Sequence, residues 1–278
     1  MAARKIAYIE EWDSDFIRWS GNLLRKFLDD GRLVRARPGE KPDLLITSIW
    51  RRHELPADIP TILISNENWD LFPAHEPLSR HLAVLGTCSP RDSCNFIAYP
   101  FAAVHFDVPV EQLYALRQEL LAIPKTRFCC FVVSNTMGAM AGPRVRLFQQ
   151  IHDWQNVDSA GQVMNNTGYL APRGTDFLRW IAQYKYMICL ENSSAPGYLT
   201  EKPFQAWAAG TVPIYAGGAM SELNPDAIVP ADGRVLETLQ LLEWSPDAYE
   251  KKRQAPLTPA PFSLAQFEAR FGSLLESL

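Results

Sequence analysis

The chain lacks the features that mark several common protein classes. It has no run of basic residues, and its formal net charge is −4 with both signs interspersed. That is not the electrostatic footprint of a nucleic-acid binder. No apolar stretch reaches the roughly 18 residues that a membrane-spanning helix needs. The opening "MAARKIAYIEEWD" arrives at Glu10 and Glu11 at once, so it does not read as a secretory signal. Cysteine is scarce and odd in number: Cys88, Cys94, Cys129, Cys130 and Cys189, two of them adjacent within an apolar run. Such a set makes a poor disulfide framework, fits a reducing compartment and reads as buried structural thiols. No Cys–His spacing suits zinc, and no internal repeat is visible. These absences predict a cytoplasmic protein, with a membrane-peripheral placement as the alternative.

What remains is an ordinary globular composition. With 278 residues, 47% hydrophobic and 21% charged, the chain is long enough for two α/β domains. "KIAYIEEW" reads as a first strand. "FIRWSGNLLRKFLDDG" carries Phe16, Trp19, Leu23, Leu24 and Phe27 at helical spacing, with Gly31 as a stop. "DLLITSIW" and "TILISNEN" are short apolar runs suited to buried parallel strands, and "HLAVLGTC" and "NFIAYPFAAV" read as further strands. A strong helix, "VEQLYALRQELLAI", ends at Pro124. The expected boundary falls there, giving domains 1–124 and 125–278. "RFCCFVVSN" then opens a second unit as a strand, followed by a helix in "GPRVRLFQQIHDW" with Pro143 in its first turn. The proline-rich "RQAPLTPAPFS" precedes a terminal helix over 264–278, expected to pack back on the N-terminal domain. Alternating strands and helices predict parallel sheets covered on both faces, with ligands beyond the carboxyl ends of the strands.

The most informative stretch is "YKYMICLENSSAPGYLTEKPFQAWAAGTVPIYAGG", from Tyr184 to Gly218. Two apolar strands flank Tyr198, Glu201 and Lys202, a grouping that core packing does not require. Thr200 has the chemistry of a helix N-cap before a helix over 201–209. Phe204, Trp207 and Ala208 share one face of that helix, and Gly210 is a plausible stop. Lys202 in a first helical turn opposes the macrodipole by about 0.3–1 kcal/mol. It is tolerable if it bends to solvent and useful if the helix start holds an anion such as a diphosphate.

This stretch resembles the signature of the α-1,3/1,4-fucosyltransferases, glycosyltransferase family 10, and in detail its bacterial-type members. The likeness extends to "FVVSN", "PRVRLFQQI" and "DSAGQVMNNTGYL", and more weakly to "RKIAYIEEW" and "SNENWDLF". The resemblance implies a GT-B fold: two Rossmann-like domains with parallel sheets facing a central cleft, acceptor on the first and GDP-fucose on the second. It implies an inverting transfer of L-fucose from GDP-β-L-fucose to a glycan hydroxyl, O3 of GlcNAc or Glc, as in N-acetyllactosamine or lactose. No cofactor is implied and no essential metal, and the choice between the 3- and 4-hydroxyl stays open.

The resemblance also implies roles for single residues. Arg144, preferred over Arg146 in the same helix start, would hold the diphosphate with Lys202. Glu201 would accept hydrogen bonds from the GDP ribose, and Tyr198 would bound the donor pocket. Glu191 and Asn192 would either organise their loop or touch the donor. Ser134 and Asn135, closing a strand, would line the nucleotide cleft. Glu67 in "SNENW" is the candidate base, with Glu10 and Glu11 as fallback acids and Trp12 and Asp13 shaping the acceptor site. Pro203 departs from the family pattern, as does the lack of heptad repeats and a basic tail. Asp13-Ser14-Asp15 is formally a metal-binding D-x-D but lies where that motif is not expected. The rival readings are a GT-B transferase with another nucleotide sugar and a non-catalytic carbohydrate-binding homologue.

Overall fold

The computed structural model describes residues 3–8, 14–69, 77–90, 94–105, 110–134, 141–261 and 263–278. It divides into two compact units, residues 1–107 with 262–278, and residues 108–261.

The first unit is built on strands β1 (Arg4–Tyr8), β2 (Leu33–Arg35), β3 (Leu44–Ser48), β4 (Thr61–Ser65), β5 (Ala83–Gly86) and β6 (Phe96–Ala98). They pair in parallel in the order β2-β1-β3-β4-β5-β6. Every residue of β3 and β4 is buried, which is why both read as unbroken apolar runs rather than alternating ones. Helix α1 (Ser14–Asp29) joins β1 to β2 and buries Phe16, Leu23, Leu24 and Phe27 at the expected spacing. The run "NFIAYPFAAV", expected as one strand, breaks after Ala98 into the short helix α2 (Ala102–His105). Pro100 lies at the break, where it has no amide N–H to give to a sheet ladder.

The second unit begins with α3 (Val110–Leu121) and β7 (Arg127–Phe131). It continues through α4 (Ala141–Trp154), β8 (Val157–Ser159), α5 (Gly174–Ile181), β9 (Tyr184–Leu190), α6 (Lys202–Ala208), β10 (Val212–Ala216) and β11 (Val229–Pro230). Helices α7 (Val235–Trp244) and α8 (Pro246–Gln254) follow. Its five strands are again all parallel, in the order β11-β10-β9-β7-β8. The chain then returns to the first unit as α9 (Ala265–Glu276), where Phe267 and Phe271 pack edge-on against Phe27 at 6.4 and 5.0 Å between ring centroids. Lys26 closes that contact on Glu268 at 2.6 Å. All five cysteines are free and four are buried. No described helix is long and apolar enough to cross a membrane.

The division at 107/108 comes one helix before the expected boundary at 124/125. Arg117 of α3 is the reason. It is buried, donates to the carbonyl oxygens of Trp207 and Arg253, and lies over the Trp207 ring at 4.3 Å. Both acceptors sit at helix C-terminal ends, where a cation is favoured. Sequence spacing could place α3 as a helix but could not say which sheet it covers. Arg117→Ala is expected to lower stability by about 2–3 kcal/mol, the scale of hydrogen bonds made by a charged group. Gln118→Ala, on the exposed side of the same helix, should change it by less than about 0.5 kcal/mol. Denaturant midpoints of the two variants check this.

Candidate functional site

In the second sheet the chain runs from β7 outward to β8, then crosses back to β9 and on to β10 and β11. The order therefore reverses between β7 and β9. In open parallel sheets a crevice forms outside the carboxyl ends of two such strands, and ligands bind there. The loop leaving β7 leads into α4, whose first turn carries Arg144, and the loop leaving β9 leads into α6, whose first residue is Lys202. The topology thus brings two cations to one place.

Glu191 is the first residue beyond β9. Its N–H donates to the Ala216 carbonyl oxygen at 3.1 Å, extending the pairing with β10 by one step. Its side chain is completely buried. Oε1 accepts the Thr200 N–H at 2.8 Å, and Oε2 accepts the Thr200 hydroxyl at 2.6 Å and Lys202 Nζ at 3.3 Å. Lys202 Nζ also reaches Thr200 Oγ1 at 2.8 Å and Glu201 Oε1 at 3.3 Å. Burial alone pulls the Lys202 pKa down, but Glu201 and Glu191 together outweigh it and hold the ammonium above its ordinary 10.5. Burial pushes the Glu191 carboxyl up, opposed by Lys202 and the Thr200 donors. Arg144 is buried, with Nε donating to the Leu190 carbonyl oxygen at 3.2 Å. Burial lowers its pKa, and the fields of Glu191, Tyr198 and Glu201 support the charge. A guanidinium stays charged in any case.

The Lys202 and Glu201 side chains are 23% and 22% exposed, against 0% for Glu191. A ligand can reach the first two and not the third. Glu191 is bound within its own loop, which favours the loop-organising role of the two left open for it. Thr200 departs from the expected N-cap: the residue preceding α6 is Glu201, in helical conformation with no side-chain cap. The Thr200 hydroxyl is committed to Glu191 instead, because a fully buried carboxylate needs donors more than a short helix needs a cap. Lys202 is likewise compensated by two carboxylates in a position the helix macrodipole disfavours.

Tyr198 is buried, and its hydroxyl donates to Asn192 Oδ1 at 2.6 Å, which fixes the 192–198 turn. Gly218 lies against the same turn so closely that a Cβ there would sit 1.8 Å from the Ala195 carbonyl oxygen. Any side chain at 218 would push the loop away. Ser134 is exposed just beyond β7, and Asn135 lies outside the described residues. Arg146 is exposed. Glu67 belongs to the first unit, half-buried in the loop after β4. Its N–H donates to Ser65 Oγ at 3.1 Å, and its carbonyl oxygen accepts the Cys88 thiol at 3.4 Å. Glu10, Glu11, Trp12 and Asp13 lie outside the described residues. Asp15 of the D-x-D lies in the first turn of α1, 3.4 Å from Arg18. Among the described residues no three His, Cys, Asp or Glu side chains gather as a metal site.

Two residues of this site carried no signal in the sequence. Tyr215 at the end of β10 is fully buried, and its hydroxyl finds no hydrogen-bond partner among the described residues. Gly217 lies two residues on, beside Glu191: a Cβ there would meet Tyr215 Oη at 2.4 Å and Glu191 Cγ at 2.8 Å.

Part of the chain is similar to known proteins. The sequence profile of the glycosyltransferase family 10 (fucosyltransferase) C-terminal region matches residues 122–235. An α-(1,3)-fucosyltransferase of Helicobacter pylori is 33% identical over 107 residues, 38% of this chain and 21% of that protein. α-(1,3)-Fucosyltransferase 4 of Mus musculus is 35% identical over 150 residues, 52% of this chain and 33% of that protein. The matched part thus spans between a fifth and a third of these two relatives. A crystal structure of an α1,3-fucosyltransferase with GDP-fucose superposes with a TM-score of 0.71 at 20% identity, covering 99% of this chain and 90% of that one. At that identity the likeness concerns the fold, which is GT-B. The matched segment, about two fifths of the chain, holds Arg144, Glu191, Tyr198, Glu201 and Lys202 together, and over it the chain is similar to the C-terminal region of glycosyltransferase family 10, the fucosyltransferases.

Proposed function

We propose that the protein transfers L-fucose from GDP-β-L-fucose to a hydroxyl of a glycan acceptor, with inversion at the fucose carbon. The observation that carries this reading is the pair of cations, Arg144 and Lys202, brought to the reversal of strand order by α4 and α6. A leaving diphosphate needs charge stabilisation, and an arginine fork with a lysine beside a helix start supplies it. Glu201, reachable beside Lys202, is placed to accept hydrogen bonds from ribose hydroxyls, and Tyr198 with Asn192 fixes the loop that frames the nucleotide. The similarity of residues 122–235 to the fucosyltransferase family and the relatives named above support fucose as the sugar. Glu67 acts as the base that removes the acceptor proton, and GDP departs as an anion, so no acid is needed. The acceptor is a glycan such as N-acetyllactosamine or lactose, taken at O3 of GlcNAc or Glc.

Turnover of GDP-fucose against lactose, N-acetyllactosamine and type-1 chains tests the reading, with UDP- and CMP-sugars as controls. Transfer only from another donor would overturn it. With Arg144 and Lys202 holding the diphosphate, activity should survive EDTA with at most a modest loss. Complete loss, restored by a divalent ion, would point to the Asp13-Ser14-Asp15 alternative. GDP affinity should also be insensitive to Lys202 titration up to about pH 10, because its folded pKa lies above the ordinary 10.5. The attraction is fully present below that value and is lost only as pH rises through the folded pKa. Calorimetric titrations with GDP at pH 7 and pH 9.5 check this.

A further inference from the structure

Binding a diphosphate raises a problem for Glu191. Among the described residues, Lys202 is the cation paired with this buried carboxylate, and the reading above asks Lys202 to turn to the donor. The hold between them is already loose: 3.3 Å, against about 2.7–2.9 Å for a short charge-assisted bond. Lys202 Nζ lies closer to Thr200 Oγ1, at 2.8 Å. A carboxylate has roughly four acceptor positions. Among the described residues, the Thr200 N–H, the Thr200 hydroxyl and Lys202 are the donors that reach Glu191. When Lys202 moves away, a buried charge is left short of a donor.

Tyr215 stands where a replacement is needed. β10 and β9 pair in register at Tyr215 and Cys189, and at Ala216 and Leu190. Side chains alternate between sheet faces, so Tyr215 shares a face with Cys189 and with Glu191, two residues along. The Tyr215 hydroxyl is buried and unpartnered among the described residues. Burial and the nearby Glu191 raise its pKa, which keeps the proton available for donation. Gly217 leaves open the gap between them, since a Cβ would lie 2.4 Å from Tyr215 Oη and 2.8 Å from Glu191 Cγ.

We propose that Tyr215 is a positioning residue of the donor site: its hydroxyl takes over Glu191 when Lys202 leaves that carboxylate for the diphosphate of a bound nucleotide. The proposal rests on the donor reading given above. It explains why a hydroxyl is kept unsatisfied in a core position where phenylalanine would pack equally well. In the ligand-free protein the hydroxyl costs stability. In the bound state it offsets the loss of a cation beside a buried charge.

The test is a thermal-melting cycle on ligand-free protein, with GDP calorimetry alongside. Tyr215→Phe alone should melt at or above the wild type, because it removes a buried hydroxyl that has no partner. In a Lys202→Ala background, where Glu191 has already lost its cation, Tyr215→Phe should lower the melting temperature by about 2–4 °C or more. Tyr215→Phe should also weaken GDP binding about tenfold, the scale of one hydrogen bond to a charged group. A purely structural tyrosine would lower the melting temperature equally in both backgrounds, and that result overturns the proposal. Unchanged GDP affinity in Tyr215→Phe overturns it as well. If Lys202→Ala does not fold, Lys202→Met keeps the apolar stem and completes the same cycle. Failure of the wild-type protein to bind GDP would sink the donor reading instead, and the melting cycle would still decide whether Tyr215 and Lys202 serve Glu191 in turn.

Discussion

Glu67→Gln is expected to abolish transfer to sugar while leaving GDP binding nearly intact. An acceptor hydroxyl is a weak nucleophile, and its proton must leave as the bond to fucose forms. A carboxylate within hydrogen-bond reach takes that proton, a contribution of about 10²–10⁴-fold. Glutamine keeps the size and removes the basicity. The backbone contacts that hold the loop do not involve the carboxylate. The Glu67 N–H is on Ser65 Oγ, its carbonyl oxygen is on the Cys88 thiol, and neighbouring Asn66 accepts the Tyr99 hydroxyl at 2.5 Å. GDP affinity should persist because the proposed donor ligands Arg144, Glu201 and Lys202 belong to the other unit. A transfer assay and GDP calorimetry on the same preparation measure both halves. Near-normal transfer by Glu67→Gln would remove Glu67 from the mechanism and direct attention to Glu10 and Glu11.

Loss of either donor cation is the second large effect. Arg144→Ala and Lys202→Ala should each reduce turnover by about 10²-fold or more, as expected for one lost transition-state contact of roughly 2.7–4 kcal/mol. The two differ in their side effects. Arg144 also ties the first turn of α4 to the end of β9 through Leu190, so its removal loosens the crevice as well as its charge. Lys202→Ala takes the cation from beside buried Glu191, so the melting temperature has to be read with the rate. Lys202→Arg keeps the charge but presents a planar fork where a compact ammonium sits among Glu191, Thr200 and Glu201. It should recover only part of the loss. Arg146→Ala, exposed on the same helix as Arg144, should cost much less. Strong sensitivity at Arg146 with an indifferent Arg144 would show the helix to be read in the wrong phase.

Much of this architecture is written locally in the chain. The fully apolar runs of β3 and β4 are what strands covered on both faces require. The spacing in α1 follows directly from one buried face. The order of residues from Tyr184 to Gly218 carries the resemblance to the fucosyltransferases, and with it the expected fold, which the structure shares. These are properties of period and order along the chain, which a sequence displays. Short edge strands are different. β2, β8 and β11 have three residues or fewer, and such strands exist only because a neighbour pairs with them. No local period announces them.

The tertiary structure decided the rest. Which sheet α3 covers depends on Arg117 finding two carbonyl oxygens far along the chain. The Thr200 hydroxyl has the chemistry of a cap in any sequence, yet complete burial of Glu191 commits it to a carboxylate. Tyr215 and Gly217 look like an ordinary strand end and turn until β9 and β10 come into register and set a buried hydroxyl beside a buried charge. Burial and long-range pairing fix how much a polar group costs and which partners can reach it. The sequence determined which chemical groups this protein has and in what order, and packing between distant segments decided which of them organise the site and which remain reachable by a ligand.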